Sequence, residues 1–165
     1  MKNKTKLLTM ASCFAAMILI STMFPFIRVM NEYAHIGDGL IYLAAAVLPL
    51  PYSALAAAVG AGLADTFLGF FLPWAPMSLV IKGLMATVFG FLCCGDKVAK
   101  SKEIAAVCLA GLINIVGYFL GSWAVYGWAA ALAGLPLNLA QSAVAAVIYF
   151  VFSRPARKFA GKYIR

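Results

Sequence analysis

Residues 52–94 read YSALAAAVGAGLADTFLGFFLPWAPMSLVIKGLMATVFGFLCC, and the only charged residues among them are Asp65 and Lys82. Two apolar runs, 52–71 and 77–94, each approach the roughly 20 residues that cross a bilayer as a helix. Pro73-Trp74-Ala75-Pro76 separates them, a turn signal with an aromatic side chain suited to interface depth. Two such runs joined by so short a turn read as a transmembrane helical hairpin. Outward from this pair, further apolar runs cover 7–26, 37–50, 104–123 and 137–152. The run 37–50 is short, so it is tilted, partial or buried. The expected fold is an all-α integral membrane protein, a single domain over 1–165 with six transmembrane helices. Composition agrees, since 65% of the 165 residues are hydrophobic and 11% charged, where a soluble domain carries about a quarter charged residues. Little chain is left for an extramembrane domain, and no phosphate-cradling glycine loop is present. A nucleotide-hydrolysing module is thereby excluded.

Net charge is +8, from 13 Lys and Arg against 5 Asp and Glu. In a soluble protein this would suggest nucleic acid; here topology accounts for it, and no nucleic-acid partner is expected. With six spans, one face receives Lys2, Lys4, Lys6, then Lys97, Lys100, Lys102, then Arg154, Arg157, Lys158, Lys162 and Arg165, which is 11 of the 13 basic residues. The opposite face receives Arg28. Since Lys and Arg collect in cytoplasmic loops, both termini are expected in the cytoplasm of a bacterial cell. Five or seven spans would scatter these charges. A basic start followed by an apolar run also resembles a secretory signal, but the run is long and no small-x-small cleavage site follows it.

Ionisable residues within spans cost about 2.5–3.5 kcal/mol each on insertion scales and mark functional candidates. Asp65 lies six residues before the end of its run and Lys82 six after Pro76, so both sit about 9 Å below the outer surface. Asp38 opens the second run on the same side. Three readings stay open for this layer: an ion pair locking helices together, contact with a ligand, or a proton relay. A second polar set lies on the last two spans. Asn114 and Tyr118 share one helical face, as do Asn138 and Gln141, with Trp123, Tyr126 and Trp128 above them. Interhelical hydrogen bonding plus an aromatic belt explains such a set. Amides under planar rings also suit a small, flat, polar ligand. His35, the single histidine, sits in the loop 28–38 beside Asn31, Glu32 and Tyr33 as a residue lining a pocket entrance. No metal site, cofactor or catalytic arrangement is visible. Cys13, Cys93, Cys94 and Cys108 read as apolar packing residues. Small residues recur at helical spacing at Ala11 and Ala15, and again at Ala54, Ala58 and Gly62, as they do where membrane helices approach closely.

The ordered segments His35-Ile36-Gly37-Asp38-Gly39, Gly60-Ala61-Gly62-Leu63-Ala64-Asp65 with Gly69, and Pro76 through Ile81-Lys82-Gly83-Leu84 resemble the S components of energy-coupling factor (ECF) vitamin transporters. The likeness covers nearly the whole chain. It implies a substrate-binding subunit of an ATP-driven importer. Such a subunit captures a vitamin or related micronutrient from outside and delivers it by reorienting in the membrane. It implies a pocket from the first outer loop and the outer parts of the later helices, here His35, Trp74, Lys82, Asn114, Tyr118, Trp123, Asn138 and Gln141. It implies docking through Ala11 and Ala15 on a transmembrane coupling subunit served by two cytoplasmic ATPases. The competing readings are a self-sufficient secondary carrier or channel using Asp65 and Lys82, and a structural subunit without ligand. The candidate pocket residues favour a compact, roughly neutral aromatic heterocycle as substrate.

Overall fold

The computed structural model describes residues 2–24, 26–29, 32–95 and 98–163. Asn31, Lys97 and Arg165 lie outside the described residues, as do the side chains of Lys2, Arg28 and Glu32. Six helices and one hairpin follow in order: α1 Lys2–Met23, β1 Phe26–Val29, β2 Glu32–His35, α2 Gly37–Val47, α3 Tyr52–Phe67, α4 Trp74–Cys93, α5 Lys100–Tyr126 and α6 Trp128–Tyr163.

Several boundaries differ from the sequence expectation, each for a physical reason. The run 7–26 ends as a helix at Met23, because Phe26 enters an antiparallel hairpin that pairs with His35. The segment expected as a loop thus holds a two-stranded sheet, and among the described residues the other regular elements are helices. Pro76 does not delay α4, which starts at Trp74; proline is accepted in a first turn, where its missing N–H would have no partner. The connection expected over 126–136 is helical except at Gly127, whose φ of 86° ends α5 in the left-handed region that favours glycine. Helix α6 then runs 36 residues through Pro136 and Pro155 and absorbs the basic tail. Prolines are tolerated in such membrane helices because neighbouring groups re-satisfy the freed carbonyls.

Helices α1, α4, α5 and α6 are long and apolar enough to cross a membrane. Helix α2, at 11 residues, reaches about 16 Å, roughly half of the hydrocarbon core. Instead it is the centre of the bundle, packed against α1, α3, α4 and α6, and ten of its residues are buried. Tyr42 of α2 stacks on Phe89 of α4 at 4.8 Å between ring centroids, and Tyr149 of α6 meets Phe89 edge-on at 4.9 Å. Helices α1 and α3 approach so closely that a Cβ at Gly60 would come within 2.7 Å of the Ala15 carbonyl oxygen. Ala15 lends its backbone to a close seam with α3 and is half-buried, and Ala11, at 6% exposure, belongs to the core. Ala11 therefore presents no open docking face. Of the cysteines, Cys93 alone is buried, while Cys13, Cys94 and Cys108 are exposed on the surface.

Candidate functional site

The hairpin β1–β2, the starts of α2, α4 and α6, and the ends of α3 and α5 meet at one end of the bundle. There a cavity is lined by Tyr33, His35, Asp65, Trp74, Ser78, Tyr118, Asn138 and Gln141. It has about 320 Å³ of space counted to its mouth, at the lower end of small-molecule sites. Side chains close its interior to about one water molecule.

Aromatic rings form one wall. Trp74 at the start of α4 lies 6.0 Å from Tyr118 and stacks on Tyr126 at 5.8 Å. Tyr33 stacks on Phe70 at 5.2 Å and lies 5.5 Å from His35. The Ser78 and Tyr118 hydroxyls share a short hydrogen bond, and the Tyr33 hydroxyl donates to Asp65 Oδ1. Burial pushes the Tyr33 phenol well above its ordinary range, and the Asp65 carboxylate adds to the shift, so Tyr33 is a donor at every working pH. His35 Nδ1 accepts the Gly37 N–H at 3.1 Å. Burial lowers the His35 imidazole to about 4, with Asp38 opposing and Lys82 adding to the shift. The ring is therefore neutral, with its remaining proton on Nε2.

Beneath the cavity lies an ion pair. Lys82, with no exposed surface, sits 2.8 Å from Asp38 Oδ1 and 2.9 Å from Oδ2. The ammonium also donates to Asn114 Oδ1 at 2.7 Å and lies 4.8 Å from the centre of the Tyr118 ring. Asn114 passes the chain on to Ser142 at 3.3 Å. Gln141 connects this floor to the cavity: its Nε2 donates to Asp38 Oδ2 at 2.6 Å, and its Oε1 accepts the His35 backbone N–H at 3.2 Å. One amide thereby ties α6 to both α2 and the hairpin.

Of the residues expected to touch a ligand, His35, Trp74, Tyr118, Asn138 and Gln141 line the cavity. Lys82 and Asn114 are one layer below. Trp123 is half exposed and packs edge-on against Trp128 at 5.6 Å, away from the cavity. In the expected trio of Asp38, Asp65 and Lys82, Lys82 pairs with Asp38, whereas Asp65 lines the cavity. Two lining residues were not expected, Tyr33 and Ser78. Each had a signal. Tyr33 and His35 alternate onto one face of a strand, and Ser78 lies one turn before Lys82 on α4. Among the described residues, no group of three or more His, Cys, Asp or Glu side chains comes together to hold a metal.

Four helices long and apolar enough to cross a membrane, with a polar cavity at one end of their bundle, define a multi-pass membrane protein. A sequence profile of the ECF-type riboflavin transporter S component matches residues 2–158. The chain belongs to that family, a family of transporter subunits and not of enzymes. No individual curated protein matches the chain closely enough to count as a relative.

Proposed function

We propose that this protein is the substrate-capturing subunit of an ECF-type importer, and that the cavity beneath the β1–β2 hairpin binds a vitamin or related flat heterocycle. One observation carries the reading: an aromatic wall, hydroxyls and amides converge on one closed cavity, over a floor fixed by the buried Lys82–Asp38 pair. Rings supply stacked apolar area and the polar groups fix orientation, the division of labour of small-molecule sites. The family is that of riboflavin transporter S components, and this chain is proposed to take a ligand of the broader vitamin class.

Among the described residues, Lys4, Lys6, Lys100, Lys102, Arg154, Arg157, Lys158 and Lys162 lie at helix ends away from the cavity. By the positive-inside rule that end faces the cytoplasm, with both termini, and the cavity faces outward. Short α2 at the bundle centre, and α3 packed on α1 and α4, make up six passes with the four longer helices. Membership of the family supports a transmembrane coupling subunit and two ATPases as partners. With Ala11 buried and Ala15 half-buried, the small residues exposed on α1 for that coupling subunit include Ser12, Cys13 and Ala16. A proton-coupled carrier would need Asp65 and Lys82 to exchange protons, yet Lys82 is held by Asp38.

Mass spectrometry of small molecules released from the purified protein tests the reading. The expected result is one heterocyclic compound in near-equal molar amount. Release of none, together with uptake into vesicles without ATPase partners, would overturn it.

A further inference from the structure

A groove opens at the basic end of the bundle, between the start of α5 and the later turns of α6. Lys100, Arg154 and Arg157 line it beside Ile104, Phe150 and Val151. Spacing sets these residues in two tiers. Lys100 and Ile104 are four apart on α5, and Phe150 and Arg154 are four apart on α6, so each helix carries a cation one turn beyond an apolar side chain on one face. Ile104, Phe150 and Val151 are 54%, 46% and 60% exposed, at the point where the apolar runs of both helices give way to charge. That point is the boundary between hydrocarbon and headgroups. Glu103 also lines the groove, but it is engaged by Arg157 at 3.2 Å and by Tyr149 at 2.9 Å. Among the described residues, Lys100 and Arg154 have no acidic partner. Asp96 and Glu103 face 11 basic residues at that end, so cations stay in excess even with Asp96, which lies outside the described residues, assigned to one of them. Arg157 adds an independent sign. It is buried, at 9% exposure, and its Nε has no hydrogen-bond partner, a costly state for a buried donor.

We propose that this groove binds an anionic phospholipid, with its phosphate on Lys100, Arg154 and Arg157 and its acyl chains along Ile104, Phe150 and Val151. Charge complementarity names the occupant: basic side chains at a membrane surface attract anionic headgroups, whereas a zwitterionic lipid brings a cation of its own. The exposed apolar tier beneath the cations favours a lipid over free phosphate, which would leave that tier uncovered. The inference is independent of what the cavity at the other end holds.

The test is native mass spectrometry of the purified full-length protein, released from detergent micelles doped with equal amounts of phosphatidylglycerol and phosphatidylcholine of the same acyl chains. The first lipid bound is expected to be phosphatidylglycerol by roughly tenfold, the scale of two or more basic groups acting on one anionic headgroup. Lys100→Gln combined with Arg154→Gln is expected to bring that ratio to within about twofold. Lys4→Gln combined with Lys6→Gln removes two exposed charges from the same end, outside the groove, and is expected to leave the ratio unchanged. Lys100→Arg with Arg154→Lys keeps both charges and is expected to keep the preference. Glycerol 3-phosphate in millimolar excess is expected not to displace the lipid. Equal binding of the two lipids by the wild type overturns the proposal, as does a preference that survives Lys100→Gln with Arg154→Gln. Equal losses in the two glutamine pairs would mark diffuse attraction rather than a site, and loss in the charge-preserving pair would contradict the role of charge. Displacement by glycerol 3-phosphate would make the groove a site for free phosphates. Impaired assembly with the coupling subunit in Lys100→Gln with Arg154→Gln, at an unchanged lipid ratio, would give the groove to a protein partner instead.

Discussion

Two buried polar clusters sit at opposite ends of the bundle, and they differ in what they leave open. At the basic end, Arg157 donates to the Cys93 carbonyl at 2.9 Å, to the Gly95 carbonyl, to Tyr149 at 2.8 Å and to Glu103 at 3.2 Å. Tyr149 in turn donates to Glu103 at 2.9 Å. That cluster ties the end of α6 to the end of α4 and the start of α5, and its charges are matched. At the cavity end, Lys82 and Asp38 are likewise matched, and above them rings, hydroxyls and amides surround a space. A latch engages its polar groups mostly with one another, with Arg157 Nε left over, whereas a binding site arranges them around a space.

Removing one half of the deeper pair tests this division most severely. Lys82→Met leaves Asp38 buried and uncompensated and is expected to destabilise the protein by about 3–5 kcal/mol, read as a fall in thermal midpoint in detergent. Asp38→Asn combined with Lys82→Met is expected to recover much of that loss, because no lone charge remains. Arg157→Met is the counterpart at the basic end. It is expected to cost about 1–3 kcal/mol through the carbonyls and Glu103 left unpaired, with ligand retention unchanged.

Acidity separates the two ends in another way. His35 of the folded protein takes a proton only at about 4, while the unfolded chain takes one near its ordinary value of about 6.5. Its contribution to stability is therefore complete above about 6.5 and is lost as pH falls toward 4, because the unfolded state binds the proton first. Ligand binding is expected to stay level from neutral pH to about 5 as far as His35 governs it, and His35→Gln should reduce the loss of stability below 6.5 in a pH series of melting curves. The smallest effect is expected from Trp123→Ala. Half exposed and away from the cavity, Trp123 should alter ligand retention by less than about twofold in an equilibrium titration.

The sequence was legible where apolar run length decided the outcome. Four long helices and the burial of short α2 follow from counting, as does the burial of Asp38, Lys82, Asn114 and Gln141 in a polar layer. Partner choice was not legible. Asp38 and Asp65 both stood at the depth of Lys82, and only the packing of α2 at the bundle centre gives Lys82 to Asp38. The hairpin was missed because its strands are four residues each, too short for alternation to stand out from a loop. Pro136 misled for a different reason: it breaks helices in water, and α6 continues through it. Depth and helical face placed Trp123 near the amides, but its rotation about α5 sends it outward to Trp128. The small-residue face of α1 was read as a docking face for another subunit, whereas Ala11 is buried in the core and the Ala15 backbone abuts α3 within the same chain.

The most direct measurement compares the two ends in one assay. Trp74→Ala and Arg157→Met are purified beside the wild type, and the small molecule that each retains is quantified by mass spectrometry per mole of folded protein. The cavity-end variant is expected to lose the bound compound, and the basic-end variant to keep it at the wild-type level despite its lower stability. Equal retention in both variants, or loss confined to Arg157→Met, would contradict the assignment of the cavity beneath the hairpin as the binding site.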